Sequence, residues 1–382
     1  MAKAFHLIKK VKNRLKNVIN YYRRNSLYST KPEVKKLIEK RQFPKLTRQQ
    51  KEEIDRYWAQ YGIRFRDYSY HRMFYGVTGI CNPGFIPSPL AYAVLYPHYN
   101  NNVRGKLFSD KNFFQALVPT AGFPRTFGKR VNGYYFDENG KYLCSDNIEV
   151  FIDSVFNAMQ KENATDIVIK QTIDTQTGLG VKKFSVKNRE ELATVLSNDF
   201  GKDYIIQIAI RQHPALAQFN SSSVNIIRCT TWRNGDKVHL FAPCLRYGIP
   251  GAVTDVSFVD GEEILNGIGV KEDGSFMDYS VNQSGEKTPI ELEYKSVPNW
   301  DALCKQICEA HLSMVFHDVI AWDMTVDENG DAVCIEYNVK CPGSQLYQFV
   351  HGPMAGEHTD EYLGFLKNPE MQKRYLPPKI RA

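Results

Sequence analysis

No run of 18 consecutive apolar residues occurs in this chain of 382 residues, so no membrane-spanning helix is expected. The first residues, MAKAFHLIKK, lack the apolar core of a signal peptide, which points to the cytoplasm. The eight cysteines contain no C-x-x-C. Cys304 and Cys308 would sit one helical turn apart, but no second pair or His couple completes a zinc site. Reduced, buried thiols are the expectation. There is no low-complexity linker and no internal repeat beyond one reused turn, DENG at 137–140 and 327–330. Charged residues at 24% and hydrophobic ones at 43% exclude wholesale disorder. The length suggests two to three domains whose cores need no covalent staples.

Charge is unevenly spread. The net charge is +7, yet residues 1–60 hold 17 Lys/Arg against 5 Asp/Glu, so the rest of the chain is mildly acidic. In that basic arm Ile8, Val11, Leu15, Val18 and Tyr22 recur at spacings of three and four, forming one apolar stripe on a helix with lysines and arginines elsewhere. Two readings stand: residues 1–22 lie on an anionic membrane surface, or the stripe packs on the body. Nucleic-acid binding is not expected, because the arm holds no aromatic-and-basic platform and no known module signature.

Pro32 in a first turn, after Thr30 as N-cap, marks a second helix. Thr47 followed by Gln50 forms a capping box for a third, which runs through Trp58. Residues 61–107, rich in aromatics, Pro and Asn, read as packed irregular chain. From residue 108 strands and helices alternate. Strands are expected at 166–170, 182–186, 204–210, 224–232, 237–248, 319–327 and 332–338, and helices at 111–117, 149–162, 188–198 and 300–316. The DENG turns and RNGD (233–236) suit hairpins. The pattern is α+β and not a regular βαβ series.

Asp323 lies in one apolar strand, and Glu336 and Asn338 in the next, across a DENG turn. Residues i and i+2 of a strand share a face, so Glu336 and Asn338 project together, with Asp323 opposite them. Three oxygen-bearing side chains on a buried hairpin are costly without a cation, and hard oxygen donors suit Mg²⁺ shared with nucleotide phosphates. Lys170 ends an apolar strand before a loop containing Gly178 and Gly180, which is not a Walker loop. Arg228 and Arg246 sit within apolar strands, where an unpaired guanidinium is expensive. Their partner is either an anionic ligand or an internal carboxylate.

In this order the segments resemble the ATP-grasp superfamily, and more closely its sugar-transfer-associated branch, related to alpha-L-glutamate ligases. The resemblance spans roughly 45–350. FSDKNFFQALVPTAGFPRT is similar to the branch's opening segment and places Lys111 as one of two nucleotide-contacting lysines, with Lys170 as the other. The loop 174–180, with Gly178 and Gly180, matches the flap over the phosphates. YIIQIAI matches the hinge strand whose backbone meets the adenine, at Gln207, Ile208 and Ile210. SSSVNIIRCTTW points to Asn225 and Arg228, and CLRYGI with TDVSFVDGEEILNGIGV to Arg246 and Asp255. Val256 and Asn266 depart from the branch's Asn and Gly. WDMTVDENGDAVCIEYNVKCPGSQLYQ matches the metal segment, with Asp323, Glu336 and Asn338 as Mg²⁺ ligands.

What the resemblance implies is an α+β ATP-grasp fold of two subdomains clamping ATP, 108–212 with the flap and 213–382 with the metal site. A basic helical region (1–60) and the aromatic segment (61–107) would precede them. It also implies a cytoplasmic ATP- and Mg²⁺-dependent carboxylate–amine ligase acting through an acyl-phosphate, with Arg228 and Arg246 as catalytic residues. The product would join an amino acid to a sugar or uronic acid in surface (capsular) polysaccharide biosynthesis, so the partners are small-molecule or glycan carboxylates and amines. The membrane reading of residues 1–22 would add peripheral contact at the inner face. Two alternatives remain at this point: an ATP-grasp kinase acting on a sugar hydroxyl, and a non-catalytic nucleotide-binding scaffold.

Overall fold

The structure of the protein is a computed structural model and describes residues 31–173, 180–252, 254–259, 262–340 and 342–376. The basic arm 1–22 and Gly178 lie outside them. In chain order the main helices are α1 (Pro32–Arg41), α2 (Arg48–Ala59), α3 (Ser69–Thr78), α4 (Ile148–Lys161), α5 (Arg189–Leu196), α6 (Trp300–Ser313), α7 (Gln345–His351) and α8 (Pro369–Tyr375). The strands are β1 (Thr126–Val131), β2 (Tyr134–Phe136), β3 (Tyr142–Cys144), β4 (Asp166–Gln171), β5 (Val181–Ser185), β6 (Tyr204–Ile208), β7 (Ile226–Asn234) and β8 (Lys237–Tyr247). They continue with β9 (Ser257–Val259), β10 (Glu262–Ile264), β11 (Asn266–Val270), β12 (Phe276–Asn282), β13 (Lys287–Pro289), β14 (Val319–Val326) and β15 (Ala332–Asn338).

The chain divides into two compact units, one from Met1–Tyr99 and Gly343–Ala382, the other Asn100–Pro342. The first is helical where described. The Thr47 hydroxyl accepts from Gln50 N–H, while the Gln50 side chain accepts from Thr47 N–H, so the capping box starts α2 as the sequence predicts. The stretch 61–107 differs from its expected irregular form. It contains α3, a run of helical turns from Ser88 to Tyr99 and a 3₁₀ segment at Arg104–Ser109. In α3 Tyr70, His71, Met73, Phe74, Tyr75 and Val77 are all buried. A helix covered on nearly every side has no polar face to reveal its period. The expected division also shifts: the last segment, from Gly343, belongs with the first unit. There Phe349 of α7 meets Phe74 edge-on at 5.8 Å, and the Gln348 amide both accepts from Ile86 N–H (2.8 Å) and donates to Ile86 O (2.9 Å).

The second unit holds two large antiparallel sheets. The six-stranded sheet runs β3-β2-β1-β6-β4-β5, and the seven-stranded sheet β13-β12-β11-β8-β7-β14-β15. Each buries one face. Ile167, Ile169, Phe127 and Ile206 of the first pack with Phe151, Val155 and Met159 of α4 and Leu192 of α5. Ile227, Cys229, Leu245, Trp322 and Met324 of the second pack with Leu303, Ile307 and Ala310 of α6. Both DENG sequences make the same hairpin turn: Asp137 Oδ1 accepts from Asn139 and Lys141 N–H, and Asp327 Oδ1 accepts from Asn329 and Asp331 N–H. Gly140 and Gly330 take φ of 78° and 90°, which a side chain would strain.

Candidate active site

Strand parity decides what the outer face of the seven-stranded sheet carries. Asp323 of β14 stands directly opposite Arg228 of β7 on one side and Glu336 of β15 on the other. Arg246 of β8 is paired with Ile226, two residues from Arg228, and Asn338 is two residues from Glu336, so all five share that face. Their odd-parity neighbours Ile227, Trp322 and Tyr337 fill the core behind.

Asp323 is 3% exposed. Arg228 grips it with two parallel bonds, Nε to Oδ1 and Nη2 to Oδ2 (2.9 Å), and donates from Nη1 to Pro342 O at 3.1 Å. Asn338 Nδ2 lies 3.4 Å from both Asp323 Oδ2 and Glu336 Oε1. Turning that amide over puts Oδ1 there instead, so the three residues can present a compact set of hard oxygen donors. That donor set fits a divalent cation such as Mg²⁺.

Two lysines converge on Glu336. Lys111 Nζ is 3.3 Å from Glu336 Oε2. It rides on a 3₁₀ turn, Lys111–Phe113, capped by the Asp110 side chain and fastened to the end of β4 by Lys111 N–H to Thr172 O and Asn112 Nδ2 to Thr172 Oγ1 (2.8 Å). Lys170, on the outer face of β4, is buried, which pushes its ammonium down to about 8 against the pull of Glu336 and with the push of Lys111. Burial raises the Glu336 carboxyl, but Lys111, Arg228 and Lys170 outweigh it and hold the group down at about 2. For Asp323, burial pushes the carboxyl up against Arg228 and Arg246. Lys129, which the sequence reading missed, joins this region: it faces Lys170 across Ile205 and donates to Asn112 O at 3.0 Å. Strand parity with buried Phe127 would turn Lys129 to the core, and the bulge between Thr126 and Gly128 reverses that, so the sequence carried no signal for it.

The structure thus gathers Lys111, Lys170, Arg228, Arg246, Asp323, Glu336 and Asn338. Other candidates fall elsewhere. Asn225 is fully buried, and its Nδ2 donates to Leu216 O (2.7 Å) and Asn220 O (2.8 Å), fastening the loop before β7. The Gln207 side chain donates to Pro124 O at 3.2 Å. Ile208 N–H is taken by Arg125 O. The Ile210 backbone N–H and C=O, just beyond β6, have no protein partner among the described residues. Gly180 has φ 79°, and a Cβ there would meet Gln171 Oε1 at 2.7 Å, so the close return into β5 requires glycine.

Among solved structures, the chain is similar to the D-alanine–D-alanine ligase of Coxiella burnetii at 10% identity, over 72% of this chain and 62% of that one, with a TM-score of 0.40. The chain therefore spans less than two thirds of that ligase's length. It is similar to the D-alanine–D-alanine ligase of Bacillus anthracis at 13% identity, over 72% of each chain, with a TM-score of 0.38. It is also similar to the biotin carboxylase of Campylobacter jejuni at 12% identity, over 68% of this chain and 46% of that one, again with a TM-score of 0.38. No curated protein sequence matches. The profile described as sugar-transfer associated ATP-grasp matches residues 91–360, which take in both sheets and every charged residue of the cluster. The α+β fold is an ATP-grasp fold, and the chain belongs to the sugar-transfer associated ATP-grasp family.

Proposed function

We propose that the protein is an ATP-dependent carboxylate–amine ligase. The observation that carries this reading is the single face on which Asp323, Glu336 and Asn338 are surrounded by Arg228, Arg246, Lys111 and Lys170. Cations in excess of carboxylates favour a polyanionic substrate, and an oxygen triad among them favours one that arrives with a metal. Asp323, Glu336 and Asn338 would hold Mg²⁺, which when bound spreads the charge of the transferring phosphoryl group. Lys111 and Lys170 would meet ATP phosphates, and the Ile210 backbone would pair with the adenine.

A substrate carboxylate oxygen attacks the γ-phosphorus, the bond to ADP breaks, and an acyl-phosphate forms. The amine then attacks the acyl carbon, phosphate leaves with the C–O bond electrons, and the nitrogen loses its extra proton. Arg228 and Arg246 are held by their own carboxylates, so they would act as fixed positive charges beside the developing oxyanion. No side-chain nucleophile is needed. The family description, sugar-transfer associated, supports a substrate carried on a saccharide; the product would join an amino acid to a sugar or uronic acid in surface polysaccharide.

Hydroxylamine supplied in place of the amine tests this. An acyl-phosphate is a reactive carbonyl electrophile, so a hydroxamate of the donor carboxylate is expected with one ADP per product. A phosphorylated alcohol that survives hydroxylamine, with no hydroxamate from any carboxylate, would replace the ligase by a sugar kinase.

A further inference from the structure

Arg246 has a carboxylate partner that lies off the sheet. Its Nη2 donates to Asp255 Oδ2, and the same nitrogen is 3.9 Å from Asp323 Oδ1. The Arg246 and Asp255 side chains are 10% and 12% exposed. One guanidinium therefore stands between two carboxylates, one in the metal-type oxygen set and the other on the segment that leaves β8.

The described residues of that segment are tethered. Ile249 N–H donates to Ser257 Oγ (3.1 Å), Asn220 Nδ2 to Ile249 O (3.0 Å), and Ser222 Oγ to Ala252 O (3.0 Å). Gly251 N–H donates to Ser222 Oγ at 2.8 Å. At Gly248 a Cβ would come within 2.6 Å of Ser257 Oγ and 2.8 Å of Thr254 O, so the chain there is packed too closely for any side chain. Asp255 is thus presented to Arg246 by a tethered loop.

The consequence is electrostatic. Arg228 already occupies both Asp323 oxygens, and Asn338 lies against one of them. Without the Asp255 charge, Arg246 Nη2 is already within ion-pair range of Asp323, and nearly buried charges attract strongly. A second guanidinium on Asp323 would compete with a divalent cation for the same lone pairs. We propose that Asp255 is a positioning residue: it draws Arg246 off Asp323, which keeps the Asp323 carboxylate available to the metal and Arg246 in its place beside it. This rests on the metal-nucleotide part of the reading above and not on the identity of the product.

The test measures Mn²⁺ binding to the full chain in the presence of a non-hydrolysable ATP analogue, by the loss of free-ion paramagnetic resonance beyond that of the same Mn²⁺ and analogue without protein. Asp255→Asn is expected to weaken Mn²⁺ binding by ~10-fold or more, the range seen when an outer partner of a metal ligand is removed. Asp255→Glu should retain most of the affinity. Adding Arg246→Gln to Asp255→Asn should restore it, because the competing cation is gone. A merely structural Asp255 would lose affinity without that rescue. Wild-type affinity in folded Asp255→Asn, or a double variant no tighter than Asp255→Asn, overturns the proposal. Should Asp255→Asn not fold, the double variant and Arg246→Gln are compared: equal, wild-type-like Mn²⁺ affinities support it, and weak binding by the double variant alone overturns it. If wild type itself binds no Mn²⁺ with the analogue, both this inference and the metal-nucleotide reading fall. If wild type binds and Asp255→Asn is unaffected, only this inference falls.

Discussion

The six- and seven-stranded sheets each bury one face under helices, α4 and α5 in one case and α6 in the other. Their outer faces differ. Across the first, Lys170, Ile205 and Lys129 stand in one row, cationic at both ends. Across the second, Arg228, Asp323 and Glu336 stand in one row, a cation followed by two adjacent carboxylates. A row of one sign suits the phosphates of a nucleotide, whereas two adjacent carboxylates beside a guanidinium can hold a cation and still orient an anion. Neighbouring strands are about 4.8 Å apart, so side chains in such a row interact across the sheet without any loop to carry them.

The largest effect is expected where the carboxylate pair is broken. Glu336→Gln keeps the shape and removes one carboxylate, and ATP turnover should fall by at least ~100-fold, as loss of a metal or electrostatic group commonly does. Folding should survive, because a clustered negative charge is also removed. Near-normal turnover in a folded Glu336→Gln protein would take Glu336 out of the site.

Lys170→Met tests the cationic sheet. It keeps the aliphatic stem, so the expected loss is one charge contact to phosphate: the KM for ATP should rise by ~10-fold or more, a charged hydrogen bond contributing about 1.5–3 kcal/mol. Metal affinity should change less than in Glu336→Gln. Equal losses of metal affinity in both variants would erase the contrast between the sheets.

The smallest effect on catalysis is expected at Asn225, on the core side of the seven-stranded sheet. Asn225→Ala removes one donor each from the Leu216 and Asn220 carbonyls, which keep Phe219 N–H (3.2 Å) and Gln212 Nε2 (3.1 Å), and each buried hydrogen bond lost costs about 0.5–1.5 kcal/mol. The melting temperature should drop while the KM for ATP stays near the wild-type value. A raised KM with unchanged melting would return Asn225 to the nucleotide site.

Much of the site was legible because it is local. Strand parity places Glu336 with Asn338, and a DENG turn places Asp323 across from them; the hairpin register is Asp323 opposite Glu336. The α2 capping box was legible for the same reason. Asn225 was not: its family-like spacing to Arg228 is odd, and an odd step in a strand reverses the face. The helices of 61–107 were hidden because full burial removes the polar face on which periodicity depends.

The amino-acid sequence by itself determined the hairpin turns, the capping box of α2 and the faces of the strands without a bulge, since turn residues and period-2 alternation act over a few residues, whereas the N-cap of α1 is Lys31 and not the expected Thr30. Only the tertiary structure decided which charge meets which. Arg228 finds Asp323 95 residues away, Asp255 reaches Arg246 from a tethered loop, and the segment from Gly343 joins a unit begun before Tyr99. A buried guanidinium must have a carboxylate or another acceptor, but burial alone does not say which. That choice is made when strands distant in sequence are set side by side and the nearest compatible charge is fixed by their register.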